Sequence, residues 1–177
     1  MKHRSREKWE IVGLFFTIAA GNLLHFVYDW SGESLIAAAV SGINESTWEH
    51  MKLLAVPWLV WTVVELAVLR DVPGLLSARA AGLLSGLALI PTLYYTYTGA
   101  LGVNSSLVDI LIFQLTVLAA FAVTWRMEKR SLLWGAVWQI LAAAVLVVIA
   151  VLFVWWTFDP PQVPLFVDPV TGLAGIA

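Results

Sequence analysis

Residues 132–156 read LLWGAVWQILAAAVLVVIAVLFVWW, 25 positions without one charged side chain. About 20 apolar residues in helical form cross the hydrocarbon core of a bilayer, and the excess is absorbed by tilt. The stretch has no polar face to turn toward water, so it predicts a membrane-spanning helix and not the amphipathic helix of a soluble core. Working outward, four more stretches have the same character: 9–28, 51–69, 80–97 and 107–125. A backbone in lipid must bond to itself, so these are expected to be helices, and no ten-residue alternation suggests a barrel.

Composition agrees. Of the 177 residues, 60% are hydrophobic and 12% charged, where soluble domains carry roughly 25% charged residues. That excludes a soluble enzyme, a disordered chain and a nucleic-acid-binding partner. With no Cys there is no disulfide frame, thiolate metal site or thiol nucleophile. The expected fold is an all-α membrane protein, a single domain over 1–177 with five transmembrane helices.

Charge sets the expected orientation. Lys2, Arg4, Arg6 and Lys8 precede the first stretch, Arg70 and Arg79 flank the second loop, and Arg126, Lys129 and Arg130 separate the fourth and fifth stretches. Nine of the ten basic residues thus share one side, and only Lys52 lies on the other. The positive-inside rule puts the N-terminus in the cytoplasm and the C-terminus outside, as in the cytoplasmic (inner) membrane of a prokaryote. Trp9, Trp125 and Trp134 mark the inner boundary, and Trp30, Trp48, Tyr97, Trp155 and Trp156 the outer one. The first apolar run continues past Ala20 to Phe26, with Ile18 where a cleavage site needs a small residue, so a retained anchor is expected and not a signal peptide. The outer loop 29–46 holds a run at 35–40 too short to span, expected as an interfacial or re-entrant helix. The tail 158–177, with Pro160, Pro161, Pro164 and Pro169, cannot be a regular helix. Its Leu165, Phe166, Val167 and Ile176 predict an ordered extended segment across the outer face.

The acids on the outer side are Asp29, Glu33, Glu45, Glu49, Asp109, Asp159 and Asp168, accompanied by His25 and His50. Ionisable groups at membrane depth point to function. Asn22, His25 and Asp29 fall on one face of the first helix, Glu45, Glu49 and His50 open the second, and Tyr94 and Tyr97 end the third at the same level. Imidazole with carboxylate is the ligand set of Zn, Mn or non-haem Fe. His25, Asp29, Glu45 and His50 are the candidate ligands, Glu49 the candidate base, and Tyr94 or Tyr97 the group that polarises a substrate oxygen. Asn22, Asn44, Lys52, Asp109 and Asp168 complete the expected pocket. Two histidines could instead clasp a haem iron, although clustered carboxylates suit an anionic haem poorly.

Plainer readings stand beside these. Ser46-Thr47-Trp48-Glu49 is a capping box, with Ser46 capping and Glu49 reaching back to its amide. Lys52 then pairs with Glu49, and His25 serves as an interhelical hydrogen-bond donor. Glu65 is expected to snorkel to the inner side, Trp58 and Trp61 to pack at mid-bilayer, and Pro57 to kink the second span. Gly82, Ser85 and Gly86 allow close helix contact within the chain or in a homo-oligomer.

Three stretches together carry a resemblance: GNLLHFVYDWSG, INESTWEHMKLLAVPW and PPQVPLFVDPVTG. They resemble an uncharacterised family of small prokaryotic integral membrane proteins, a domain of unknown function. Its N-E-S-x-W-E-H-x-K-L pattern is met at Asn44, Glu45, Ser46, Trp48, Glu49, His50, Lys52 and Leu53. Its P-L-F-x-D-P segment is met at Pro164, Leu165, Phe166, Asp168 and Pro169. The resemblance implies a shared fold and outer-face site, and names no reaction. A looser likeness is to membrane hydrolases of the alkaline ceramidase and adiponectin-receptor type, which bind zinc through histidines in a helix bundle; here a carboxylate would replace one of them. The expected function is therefore a divalent-metal site supporting hydrolysis of a lipid or amphiphile. The alternatives are a cation or small-solute binding or transport protein, and a structural assembly subunit without a ligand.

Overall fold

A computed structural model describes residues 2–69 and 72–176, with side chains from Arg6 onward. Arg70 and Asp71, and the side chains of Lys2, His3 and Arg4, lie outside the described residues. The chain forms α1 (Lys2–Trp30), a short α2 (Leu35–Val40), α3 (Thr47–Val68), α4 (Leu75–Leu101), α5 (Ser106–Lys129) and α6 (Ala136–Phe158). All but α2 are long and apolar enough to cross a membrane.

Local chemistry sets the helix ends. Ser46 caps α3 by accepting the Glu49 amide, which covers one of the orphan donors of the first turn. The capping box is only half made. The Ser46 amide donates to Asn44 Oδ1 at 3.0 Å, because the Glu49 carboxylate is taken by Lys52 and by the Ile43 amide. Gly102 closes α4 at φ +66°, a left-handed conformation in which a Cβ is strained. The last helix starts at Ala136, four residues beyond the expected onset, because the Leu133 carbonyl is bound by the side chains of Ser77 and Gln139, both at 2.9 Å. Pro57 lies inside α3, which continues through it.

α3 packs against α1, α4 and α6, and its Leu54 and Trp58 are completely buried. Small residues permit this closeness. A Cβ at Gly21 of α1 would stand 2.8 Å from the Leu53 carbonyl, the oxygen that an N–H at Pro57 would otherwise engage. Gly82 and Gly86 face Thr124, Ala120 and Leu54, so this stripe of α4 is used within the chain.

The tail caps the first turn of α3 and the last turn of α6. Phe166, in a 3₁₀ turn at Pro164–Phe166, inserts beside Trp48 and Trp156, with ring centroids 4.7 and 5.6 Å apart. Val167 and Ala174 form an antiparallel bridge. Trp48 is therefore a core residue and not part of an aromatic belt: it is buried against Phe153, Trp156 and Phe166. Trp30, Trp125, Trp134 and Trp155 are exposed, as such a belt requires.

Candidate metal centre

Three segments meet at the acidic end of the bundle. α1 supplies His25 at its last full turns, the loop after α2 supplies Glu45, and the first turn of α3 supplies His50. One ligand atom from each lies within 4.8 Å of the others. The two Nε2 atoms stand 3.5 Å from opposite oxygens of Glu45. Ligands about 2.1 Å from a tetrahedral cation are separated by roughly 3.4 Å; each imidazole–carboxylate spacing is of that size, to a different oxygen of Glu45. The rings of His25 and His50 lie 5.6 Å apart by centroid. His50 Nδ1 is 3.0 Å from the Ser46 carbonyl. An Nδ1–H donated there leaves the Nε2 lone pair facing Glu45, the second-shell arrangement common to metal-bound histidines. Ser46 thus caps α3 with its hydroxyl and orients His50 with its carbonyl.

The three side chains border a cavity of about 270 Å³ between α1 and α5. Asn22, Asn104, Ser106 and Asp109 supply its other polar groups, and Phe26, Ile110 and Phe113 an apolar wall. Asp109 Oδ1 accepts from the Tyr97 hydroxyl at 2.6 Å, and that hydroxyl accepts from the Ser105 amide at 3.2 Å. Tyr97 therefore positions Asp109, while Tyr94 lines a small adjoining pocket with His50 and Asp109. Gln114 of α5 donates to Asn22 of α1 at 3.4 Å.

The other expected site residues are placed elsewhere. Asp29 is exposed and outside the cluster. Glu49 is buried, with Lys52 Nζ 2.6 Å from its Oε2, and does not line the cavity. Lys52 also donates to the Ala38 carbonyl at 2.8 Å and to Thr157 at 2.7 Å, so it ties α2, α3 and α6 together. Asn44 donates to the Gly175 carbonyl and anchors the tail. Asp168 accepts from the Val170 amide and Thr171 hydroxyl, which folds the tail on itself. Sequence reading missed Asn104, whose signal was only its place in the short α4–α5 connection beside the tyrosines.

A second polar cluster lies at the basic end. Glu65 does not snorkel; it is fully buried and ion-paired with Arg79, itself fully buried. Trp58 does more than pack, since its indole N–H donates to the Arg79 carbonyl at 3.1 Å.

Fold and site together define an all-helical protein of the multi-pass membrane class, with a His–carboxylate cluster beside a cleft. The chain belongs to the family described as Family of unknown function (DUF6512), which matches residues 1–176. No curated protein and no solved structure matches it.

Proposed function

We propose that the protein holds a divalent cation on His25, Glu45 and His50 and uses it to hydrolyse an ester of a lipid or amphiphile. The single observation that supports this reading is the convergence of two Nε2 atoms on the two oxygens of one carboxylate at 3.5 Å each. Two imidazoles and a carboxylate leave coordination positions open. A cation there polarises a bound water or a carbonyl oxygen. Asp109, lining the same cavity, accepts the proton as water attacks the carbonyl carbon. It returns the proton to the alkoxide when the C–O bond breaks. The apolar wall of Phe26, Ile110 and Phe113 suits the hydrocarbon part of such a substrate. In this reading Asp109 takes the base role expected of Glu49. By the positive-inside rule the basic end faces the cytoplasm and the site opens outward.

The test is elemental analysis of the full chain purified in mild detergent, followed by thermal melts with and without chelator. We expect a divalent metal in stoichiometric amount. Saturation at a hundred times Kd contributes about 2.7 kcal/mol, which the chelator removes. His50→Ala should lose the metal, and Asp109→Asn should keep it while losing turnover of a short-chain fluorogenic ester. Metal-free protein whose melting ignores both zinc and chelator would overturn the reading.

A further inference from the structure

The cavity beside His25, Glu45 and His50 is closed on some sides and open on one. α3 forms its back with His50 and Leu53, while Glu45 of the α2–α3 loop and Val170 of the tail border it near the helix ends. Its floor is the contact of α1 with α5. There a Cβ on Gly21 would stand 2.4 Å from Phe113 Cζ, and Gln114 reaches Asn22 at 3.4 Å. Beyond that contact, toward the acidic end, the two helices line the cavity with Phe26 and Ile110, which are 48% and 51% exposed. Both residues lie in helices long and apolar enough to span a bilayer, so the medium they meet at that depth is lipid.

The depth also matches. Trp30 is exposed at the end of α1, where an indole marks the interface. His25 lies five positions inward of it, about 7 Å along the helix axis. The polar layer on each side of the hydrocarbon core is about 5–7 Å thick, so the cluster sits near the plane of lipid ester carbonyls. The carboxylates lining the cavity are Glu45 and Asp109, and no lysine or arginine lines it among the described residues. An uncharged headgroup fits such a lining, with the exposed Asn104 and Ser106 available to bond a hydroxyl.

We infer, building on the hydrolysis proposed above, that the substrate is a long-chain acylglycerol of the leaflet at this end of the bundle, and that its ester enters sideways between Phe26 and Ile110. The acyl chain stays in the bilayer, which spares it exposure to water. The hydroxyl of the attacking water joins the acyl carbon and the acyl C–O bond breaks. The proton held by Asp109 passes to the departing glycerol oxygen. Fatty acid and alcohol then leave by the same opening.

Two readouts on the full chain test this. One is retention, in native mass spectrometry, of a dialkylglycerol, an ether that cannot be hydrolysed. The other is the ratio of kcat/KM for a long-chain diacylglycerol in vesicles to that for a short-chain fluorogenic ester in water. The wild type should retain the ether. Ile110→Trp, which narrows the opening, should lower both retention and ratio about tenfold, the low end of what one steric change in an apolar pocket discriminates, with metal content intact. Leu115→Trp, exposed on α5 and outside the cavity lining, should change neither. Failure of the wild type to retain the ether, or equal values in the two tryptophan variants, overturns the inference. So does turnover of the short ester with none of the diacylglycerol, which leaves the metal chemistry standing. Ether retention that Ile110→Trp alone abolishes, with neither ester turned over, upholds the sideways entry of the lipid and overturns the hydrolysis.

Discussion

Lys52 Nζ and Glu49 Oε2 lie 2.6 Å apart with neither side chain reaching solvent, one turn along α3 from each other. The pair sits where α2, α3 and α6 meet, with Thr157 and the Ala38 carbonyl completing the Lys52 shell. It fastens the segment that carries Glu45 and His50 to the rest of the bundle. A buried pair is costly to break because the survivor is left as an unpaired charge. Lys52→Met should therefore cost about 3–5 kcal/mol in denaturant unfolding in micelles. The double variant Lys52→Met/Glu49→Leu should recover most of that loss. If the single and double variants unfold alike, the pair has no structural role.

Gly21 allows α1 to approach α3 and α5, since a Cβ there would stand 2.4 Å from Phe113 Cζ and 2.8 Å from the Leu53 carbonyl. His25 lies one turn above on the same helix. Gly21→Ala should cost about 1–3 kcal/mol by overpacking and should weaken zinc binding, because the displaced turn carries His25 away from Glu45. Gly13→Ala, which meets the ring of Trp61 at the other end of α1, should destabilise similarly and leave zinc affinity intact. Calorimetric titration of both variants separates the two effects.

Much of this was legible in the sequence. Five spanning helices follow from unbroken apolar runs, which lipid requires and water does not tolerate. The meeting of His25, Glu45 and His50 was legible because two polar segments at one depth are joined by a single loop. The side-chain directions were not. Glu49 and His50 are neighbours in sequence, yet the helical turn sends one toward Lys52 and the other toward Glu45. Asn44 and Asp168 looked like pocket residues, but each is spent on groups of its own loop or of the tail, a local competition that composition does not register. Arg79 read as a loop charge because its partners, Glu10 and Glu65, lie on other helices. Only the packed bundle shows that both carboxylates are ion-paired with the one guanidinium.

Among the described basic residues, Lys8, Arg126, Lys129 and Arg130 lie toward the end of the bundle that holds Arg79, and Lys52 toward the other; the positive-inside rule reads the orientation from that majority. The chain has no cysteine, so single-cysteine reporters are clean. Glu33→Cys, in the exposed α1–α2 turn, should react with an impermeant maleimide on intact spheroplasts. Ser131→Cys, in the exposed α5–α6 turn, should react only after lysis. The reverse pattern would place the proposed metal site on the cytoplasmic side.

Arg79 answers two carboxylates at once, one from α1 and one from α3, while Trp58 and Phe121 cover its faces. A lysine brings the charge but neither the planar fork nor the stacking surface. Arg79→Met leaves Glu10 and Glu65 without a cation and should cost about 3–5 kcal/mol; Arg79→Lys should fall between it and the wild type. The triple variant Arg79→Met/Glu10→Leu/Glu65→Leu removes every charge in contact and should regain much of the lost stability, as replaced buried ion pairs often do. A triple variant no more stable than Arg79→Met in denaturant unfolding would show that the loss does not come from the two carboxylates left without a cation.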